Sequence, residues 1–111
     1  MKTFKIAGIE IKNRYVLAPL AGYTDYSMRK ICSDCGAGLV YTEMESCESL
    51  FYKSKATQQD LKDTHIDKET EGDTKLALQI FGGKKDIILQ SIPLFEEQGD
   101  YDFLDFNCGC P

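Results

Sequence analysis

No stretch of this sequence approaches the run of about 18 apolar residues that a membrane-spanning helix requires, so none of the 111 residues is expected to cross a bilayer. An apolar leader is missing too. Met1-Lys2-Thr3-Phe4-Lys5 alternates charge with bulk where a secretory signal would carry a hydrophobic core, which argues against export. Basic residues are in the minority, with 13 Lys and Arg against 18 Asp and Glu and a formal charge of -5. That deficit excludes a nucleic-acid-binding face spread over the whole surface, which needs clustered cations, and leaves room only for a local contact. Internal repeats and low-complexity tracts are absent. The only histidine, His65, lies in a polar stretch and is assigned no role. The five cysteines are an odd number with no export signal beside them, which favours reduced thiols in a cytoplasmic protein over a disulfide framework.

What is present is ordinary globular material. Hydrophobic residues make up 42% and charged ones 28%, so residues 1–111 are read as one domain able to bury a core without covalent staples. Phe4 to Arg14 reads as a hairpin turning at Ala7-Gly8. Tyr15-Val16-Leu17-Ala18 reads as a short buried strand that stops at Pro19. Thr24-Asp25 supplies N-cap chemistry for a helix. Met28, Ile31, Cys32 and Cys35 follow at the spacing of one apolar stripe, and Gly36 is the stop. A second strand spans Leu39 to Thr42 and ends at Glu43; helix is expected around Ser49 to Asp63, then an acid-rich loop closed by Gly72. A third strand covers Leu76 to Phe81. The next helix faces Ile88, Ser91, Ile92 and Phe95 inward, with Pro93 expected to kink or split it. The fourth strand is Phe103 to Phe106.

Short apolar strands alternating with helix-length segments point to parallel strands buried on both faces. An open dinucleotide-type sheet would carry a G-x-G-x-x-G turn after the first strand, and Pro19-Leu20-Ala21-Gly22-Tyr23-Thr24 is no such turn. The expected fold is therefore α/β, a partial (β/α)8 TIM barrel: an N-terminal hairpin plus roughly strands 1–4 with intervening helices. Barrel chemistry gathers at the C-terminal ends of strands. The unusual residues fall there: Pro19, Leu20 and Ala21, then Glu43, then Gln79, then Asn107 and Cys110. Each also has a plain structural account, as a strand terminator, a solvated acid, a backbone-bonding amide or a turn former, but the shared location favours a site.

Cys32 and Cys35 have metal-ligand spacing, yet both sit on an expected apolar helix face, where thiols are usually packing. A four-thiolate site joining them to Cys108 and Cys110 is disfavoured, because a helix and a strand separate the pairs; no metal site is assigned. Cys47 carries no signal. Cys110 differs, lying in a Gly-Cys-Pro turn at the expected mouth, where a thiol can reach substrate and give up a proton.

Leu17-Ala-Pro-Leu-Ala-Gly-Tyr-Thr-Asp25, Gly36-Ala-Gly-Leu-Val-Tyr-Thr-Glu-Met44, Leu78-Gln-Ile-Phe-Gly82 and Asp105-Phe-Asn-Cys-Gly-Cys-Pro111 together resemble the dihydrouridine synthase family, FMN-dependent enzymes that reduce uridines in tRNA. The likeness covers nearly the whole chain, with Ser46 to Asp73 the least diagnostic part. It implies that Pro19, Leu20 and Ala21 lie against the flavin ring, that Gln79 bonds the flavin's polar edge, and that Asn107 lines the flavin and uracil site. It implies that Cys110 protonates C5 of uracil while hydride from the flavin goes to C6, with NADPH or NADH as reductant. Hydride addition at C6 builds negative charge at C5 and O4, which a nearby acid quenches. Leu20 stands where methionine is common in the family, a volume-conserving exchange.

A complete barrel takes about 250 residues, and this chain stops after its fourth strand. The family's later lysine and histidine, its glycine-rich phosphate loops and its tRNA-gripping helical domain have no counterpart here. The expectation is an N-terminal half, inactive alone, whose tRNA contacts lie mostly elsewhere and whose open sheet edges invite self-association. Two alternatives stay open: another FMN barrel oxidoreductase, such as a dihydroorotate-dehydrogenase-like enzyme, and a non-catalytic thiol or zinc module.

Overall fold

Ala7 and Gly8 both take positive φ, 48° and 84°, the pairing that closes a two-residue hairpin with the right twist. The hairpin they close joins strand β1 (Phe4–Ile6) to strand β2 (Ile9–Ile11), as the sequence indicates. The fold is given by a computed structural model, which describes residues 2–53, 55–62 and 73–109. His65 and Gly72 lie outside the described residues, as do Cys110 and Pro111.

Among the described residues, four further strands form one parallel sheet in sequential order: β3 (Val16–Leu17), β4 (Leu39–Ser46), β5 (Lys75–Phe81) and β6 (Phe103–Phe106). Helices α1 (Tyr26–Asp34), α2 (Cys47–Phe51), α3 (Lys55–Lys62) and α4 (Lys85–Gln98) occupy the connections. This mixed α/β arrangement is compatible with part of a TIM barrel.

Side chains alternate along each strand between two faces. Leu78, Ile80 and Leu104 point to the helices, where they pack with Leu50, Leu61, Ile87 and Phe95 in the main core, and Val40 and Leu76 form a second cluster with Leu17, Cys32 and Tyr101. Leu39, Tyr41, Ala77 and Phe103 point the other way, and the hairpin's Ile11, fully buried, closes over them at the N-terminal end of the strands. Gly38 makes that closure possible, because a Cβ there would stand 2.6 Å from the backbone oxygen of Asn13. The hairpin thus seals one end of the sheet and leaves the C-terminal end clear.

Several expectations need correction. The strand after the hairpin is only Val16–Leu17. It is an edge strand rather than a buried one, with Val16 exposed and pairing, among the described residues, to β4 alone. Helix α1 does begin on Asp25, whose Oδ1 accepts the Met28 N–H at 2.9 Å, and Gly36 follows it with a φ of 96°. Its buried face, however, is Arg29 and Ser33, while Met28, Ile31 and Cys35 are exposed and Cys32 is half-buried. Polar anchoring overrides the apolar stripe: Arg29 reaches down to the carbonyl of Thr24 at 2.7 Å. Where one helix is expected over Ser49 to Asp63, the described residues form two, α2 and α3, with Lys53 between them at a φ of 59°, and Asp63 lies outside the described residues. Helix α4 runs unbroken through Pro93, which sits on its exposed face. There the acceptor that proline cannot serve, the carbonyl of exposed Leu89, lies on the solvent side.

Candidate functional site

The site is built by register. On β5 the face that carries Ala77 next presents Gln79, and on β6 the face that carries Phe103 next presents Asp105; Gln79 and Asp105 are direct partners across the ladder. On β4 the ladder slips. Tyr41 pairs with Ala77, but the next partner of the β5 row is Met44, opposite Gln79, so Thr42 and Glu43 form a bulge. The extra residue has consequences on both sides. Met44 is set on the face of Gln79 and Asp105, and Glu45 is turned to the helix face opposite Ile80. Thr42 fills the gap in the ladder, its Oγ1 accepting the Gln79 N–H at 3.0 Å.

A polar chain runs across this end of the sheet. Gln79 Nε2 donates to Asp105 Oδ2 at 2.7 Å, and Gln79 Oε1 accepts from Asn107 Nδ2 at 3.2 Å. The same Asn107 nitrogen donates to Met44 Sδ at 3.2 Å, and Asn107 Oδ1 accepts the Gly109 N–H at 2.9 Å. The Asn107 N–H itself extends the ladder onto the Ile80 carbonyl at 2.8 Å. Gln79 is 6% exposed, and each end of its buried amide has a partner.

Beside this chain stands the loop after β3. Leu20 O accepts the N–H groups of Tyr23 and Thr24, each at 3.0 Å, and Gly22 takes a φ of 79°. The buried Thr24 hydroxyl bonds the Leu20 backbone. Glu43 accepts the Gly22 N–H. One bulge therefore serves both halves: Glu43 holds the loop of Pro19, Leu20 and Ala21, and Met44 touches the amide of Asn107. Pro19 is half-buried, while Leu20 and Ala21 present an exposed apolar surface.

Behind the bulge, Asp25, Tyr26, Arg29, Thr42, Glu43, Glu45 and Asp60 line a small polar cleft. Burial, with the charges of Asp60 and Glu43, pushes the Glu45 carboxyl up to about 8 against the opposing pull of Arg29. Burial, and then the charge of Asp105, also raises the Tyr41 phenol.

The structure thus brings Gln79 and Asn107 into contact and ties the loop of Pro19, Leu20 and Ala21 to the same strand end through Glu43. Cys110 lies outside the described residues, but the turn that leads to it is pinned at Gly109. Cys108 is exposed, its thiol 3.7 Å from the Phe106 carbonyl. Cys32 and Cys35 belong to the region of the β3 edge, Cys108 to the β6 edge, and among the described residues no cluster of three or more His, Cys, Asp or Glu could hold a metal ion. Cys47 is fully buried, and burial raises its thiol. Sequence reasoning passed over Asp105, Met44 and Thr42. For Asp105 a signal existed, an acid inside an otherwise apolar strand two residues before Asn107.

Comparison with known proteins gives a consistent result. Residues 16–111 match the family described as dihydrouridine synthase (Dus). The chain is similar to the probable tRNA-dihydrouridine synthase of Rickettsia prowazekii (strain Madrid E), 33% identical over 107 residues, covering 96% of this chain and 31% of that protein. It is similar to tRNA-dihydrouridine synthase B of Vibrio cholerae, 32% identical over 108 residues, 96% of this chain and 31% of the relative. It is also similar to the probable tRNA-dihydrouridine synthase of Treponema pallidum, 29% identical over 106 residues, 96% of this chain and 29% of the relative. The chain therefore spans about a third of the length of the curated relatives it matches. No solved structure matches it.

Proposed function

The chain belongs to the dihydrouridine synthase family, and from that premise we propose that it forms the first strands of the (β/α)8 barrel of an FMN-dependent tRNA-dihydrouridine synthase. The observation that carries the reading is the contact of Gln79 with Asn107, at the strand end to which Glu43 ties the loop of Pro19, Leu20 and Ala21. Sequential parallel order fits the start of such a barrel, and the hairpin would seal its base.

The residues present fit a flavin. Gln79 has two amide hydrogens and two lone pairs, of which the bonds to Asp105 and Asn107 use one each. A donor and an acceptor remain for the alternating N–H and C=O groups of an isoalloxazine edge. Pro19, Leu20 and Ala21 offer the apolar surface on which a flat ring can rest, with Leu20 half exposed at 50%. When bound and reduced by NADPH or NADH, FMN supplies the hydride. This chain's own residues do the rest. Gln79 and Asn107 orient ring and uracil, Glu43 keeps the apolar loop in place, and the Cys110 thiol gives its proton to C5 of the uracil, leaving a thiolate for solvent to reprotonate.

tRNA is the proposed partner, bound mostly by parts of the longer protein beyond these 111 residues. Among the described residues no helix is long and apolar enough to cross a membrane. A cytoplasmic location is proposed with the substrate. Residues 1–111 alone, with β3 and β6 paired on one side among the described residues, are expected to self-associate rather than catalyse.

The test loads the complete polypeptide that contains this chain with FMN and supplies NADPH or NADH and unmodified tRNA. Dihydrouridine is then counted by mass spectrometry of the digested RNA. Product that requires both flavin and tRNA is the expected result. No product from the complete polypeptide would overturn the reading, and robust product from residues 1–111 alone would overturn the need for the remainder.

A further inference from the structure

Asp105 is an ionisable group in direct contact with the Gln79 amide, bonded to its Nε2 at 2.7 Å across the β5–β6 ladder. Its chemistry has a directional effect. A primary amide offers a donor on one side and an acceptor on the other, and the two orientations fill nearly the same volume. An ionised carboxylate only accepts. Gln79 must therefore turn Nε2 toward Asp105 and Oε1 away from it, toward Asn107.

The constraint then propagates. Gln79 Oε1 can only accept, so Asn107 must present Nδ2 to it, 3.2 Å away. Met44 Sδ, a weak acceptor also 3.2 Å from Nδ2, favours the same choice. Asn107 Oδ1 is left facing the other way, where it accepts the Gly109 N–H at 2.9 Å. All the donors of this chain run in one direction, from Gly109 through Asn107 and Gln79 to a charge at Asp105.

From this we infer that Asp105 is a positioning residue: its carboxylate sets which way the amides of Gln79 and Asn107 face and, through Asn107, the shape of the turn at Gly109 that precedes Cys110. The inference rests on the reading of Gln79 and Asn107 as the flavin and uracil contacts. Asp105 need touch neither ligand. It decides whether each amide offers a donor or an acceptor to what binds there. An asparagine at 105 would fit the same space but release the constraint. It could donate to Gln79 Oε1, Gln79 could then donate to Asn107 Oδ1, and the Gly109 N–H would lose its acceptor.

The experiment compares the 15N-labelled protein with D105N and D105E by the amide resonances of Gln79, Asn107 and Gly109. In D105N the Asn107 side-chain and Gly109 backbone signals are expected to shift or double, whereas D105E, which keeps an obligate acceptor, restores single signals near their original positions. Disturbance confined to Gln79 and the neighbours of residue 105 would overturn the inference. N107D tests the same chain from its other end and does not depend on D105N folding. The Gln79 amide is expected to stay on Asp105, and an amide that turns over to serve residue 107 would overturn the inference. FMN titration is a second arm, in which D105N is expected to bind about tenfold more weakly and D105E close to normally. Equal affinity in D105N would overturn the link to the cofactor. If the unaltered protein takes up no FMN, the flavin reading fails, while the resonances still decide the role of Asp105.

Discussion

Glu43, on the bulge of β4, accepts the backbone N–H of Gly22 in the loop after β3, so the two strand ends are joined by a side chain rather than by the ladder. A carboxylate holding a backbone donor is a directed tie. Removing it in E43A is expected to free the loop of Pro19, Leu20 and Ala21 at a cost of about 1 kcal/mol, a contact of this kind near solvent being at the low end of charge-assisted bonds. Amide hydrogen exchange checks this. The Gly22 N–H should exchange about fivefold faster or more in E43A and less so in E43Q, which retains an acceptor. An unchanged rate in E43A would contradict the tie.

The Glu45 carboxyl gives a pH signature. In the folded protein it titrates at about 8, above its ordinary 4.5, through burial first and then the charges of Asp60 and Glu43, with Arg29 opposing. The folded state holds that proton more tightly than the unfolded chain. Its contribution to stability is therefore fully present below about pH 4.5 and is lost as pH rises through about 8. E45Q, neutral throughout, should be more stable than the unaltered protein at pH 8 by about 1–3 kcal/mol, with the gain vanishing toward pH 4.5. Urea unfolding at the two pH values measures it, and a less stable E45Q at pH 8 would contradict this account.

Gly38 sits where the hairpin meets the sheet. A methyl group there would come within 2.6 Å of the Asn13 backbone oxygen and 2.8 Å of its Oδ1. Because backbone cannot step aside as a flexible side chain can, G38A is expected to lose about 1–3 kcal/mol. Chemical denaturation decides the point, and a variant as stable as the original would show that the hairpin is not pressed against β4.

Most of the architecture was legible because it follows from local chemistry. The turn at Ala7-Gly8, the cap at Asp25, the stop at Gly36 and the strands Lys75–Phe81 and Phe103–Phe106 announce themselves through residues whose conformational preferences are strong. What was hidden depends on contacts made at a distance. Periodicity put Met28 and Ile31 inward on α1, but the burial of Arg29 against the Thr24 carbonyl is invisible to a hydrophobic pattern. The bulge at Thr42 and Glu43 arises from pairing with β5, and no residue type marks it. Of the candidate site, Gln79 and Asn107, which the structure brings into contact, were singled out by their place at strand ends. Asp105 and Met44 were missed because their significance lies in what they face across the sheet.

The most direct test of the proposed chemistry compares two thiols separated by one residue. In the complete FMN-loaded enzyme, C108A, altering an exposed thiol that bonds the Phe106 carbonyl, should form dihydrouridine in tRNA at close to the original rate. C110A should lose activity by about 100-fold or more, the usual contribution of a positioned proton donor. Full activity in C110A, or loss in C108A instead, would contradict the assignment of the reacting proton to Cys110.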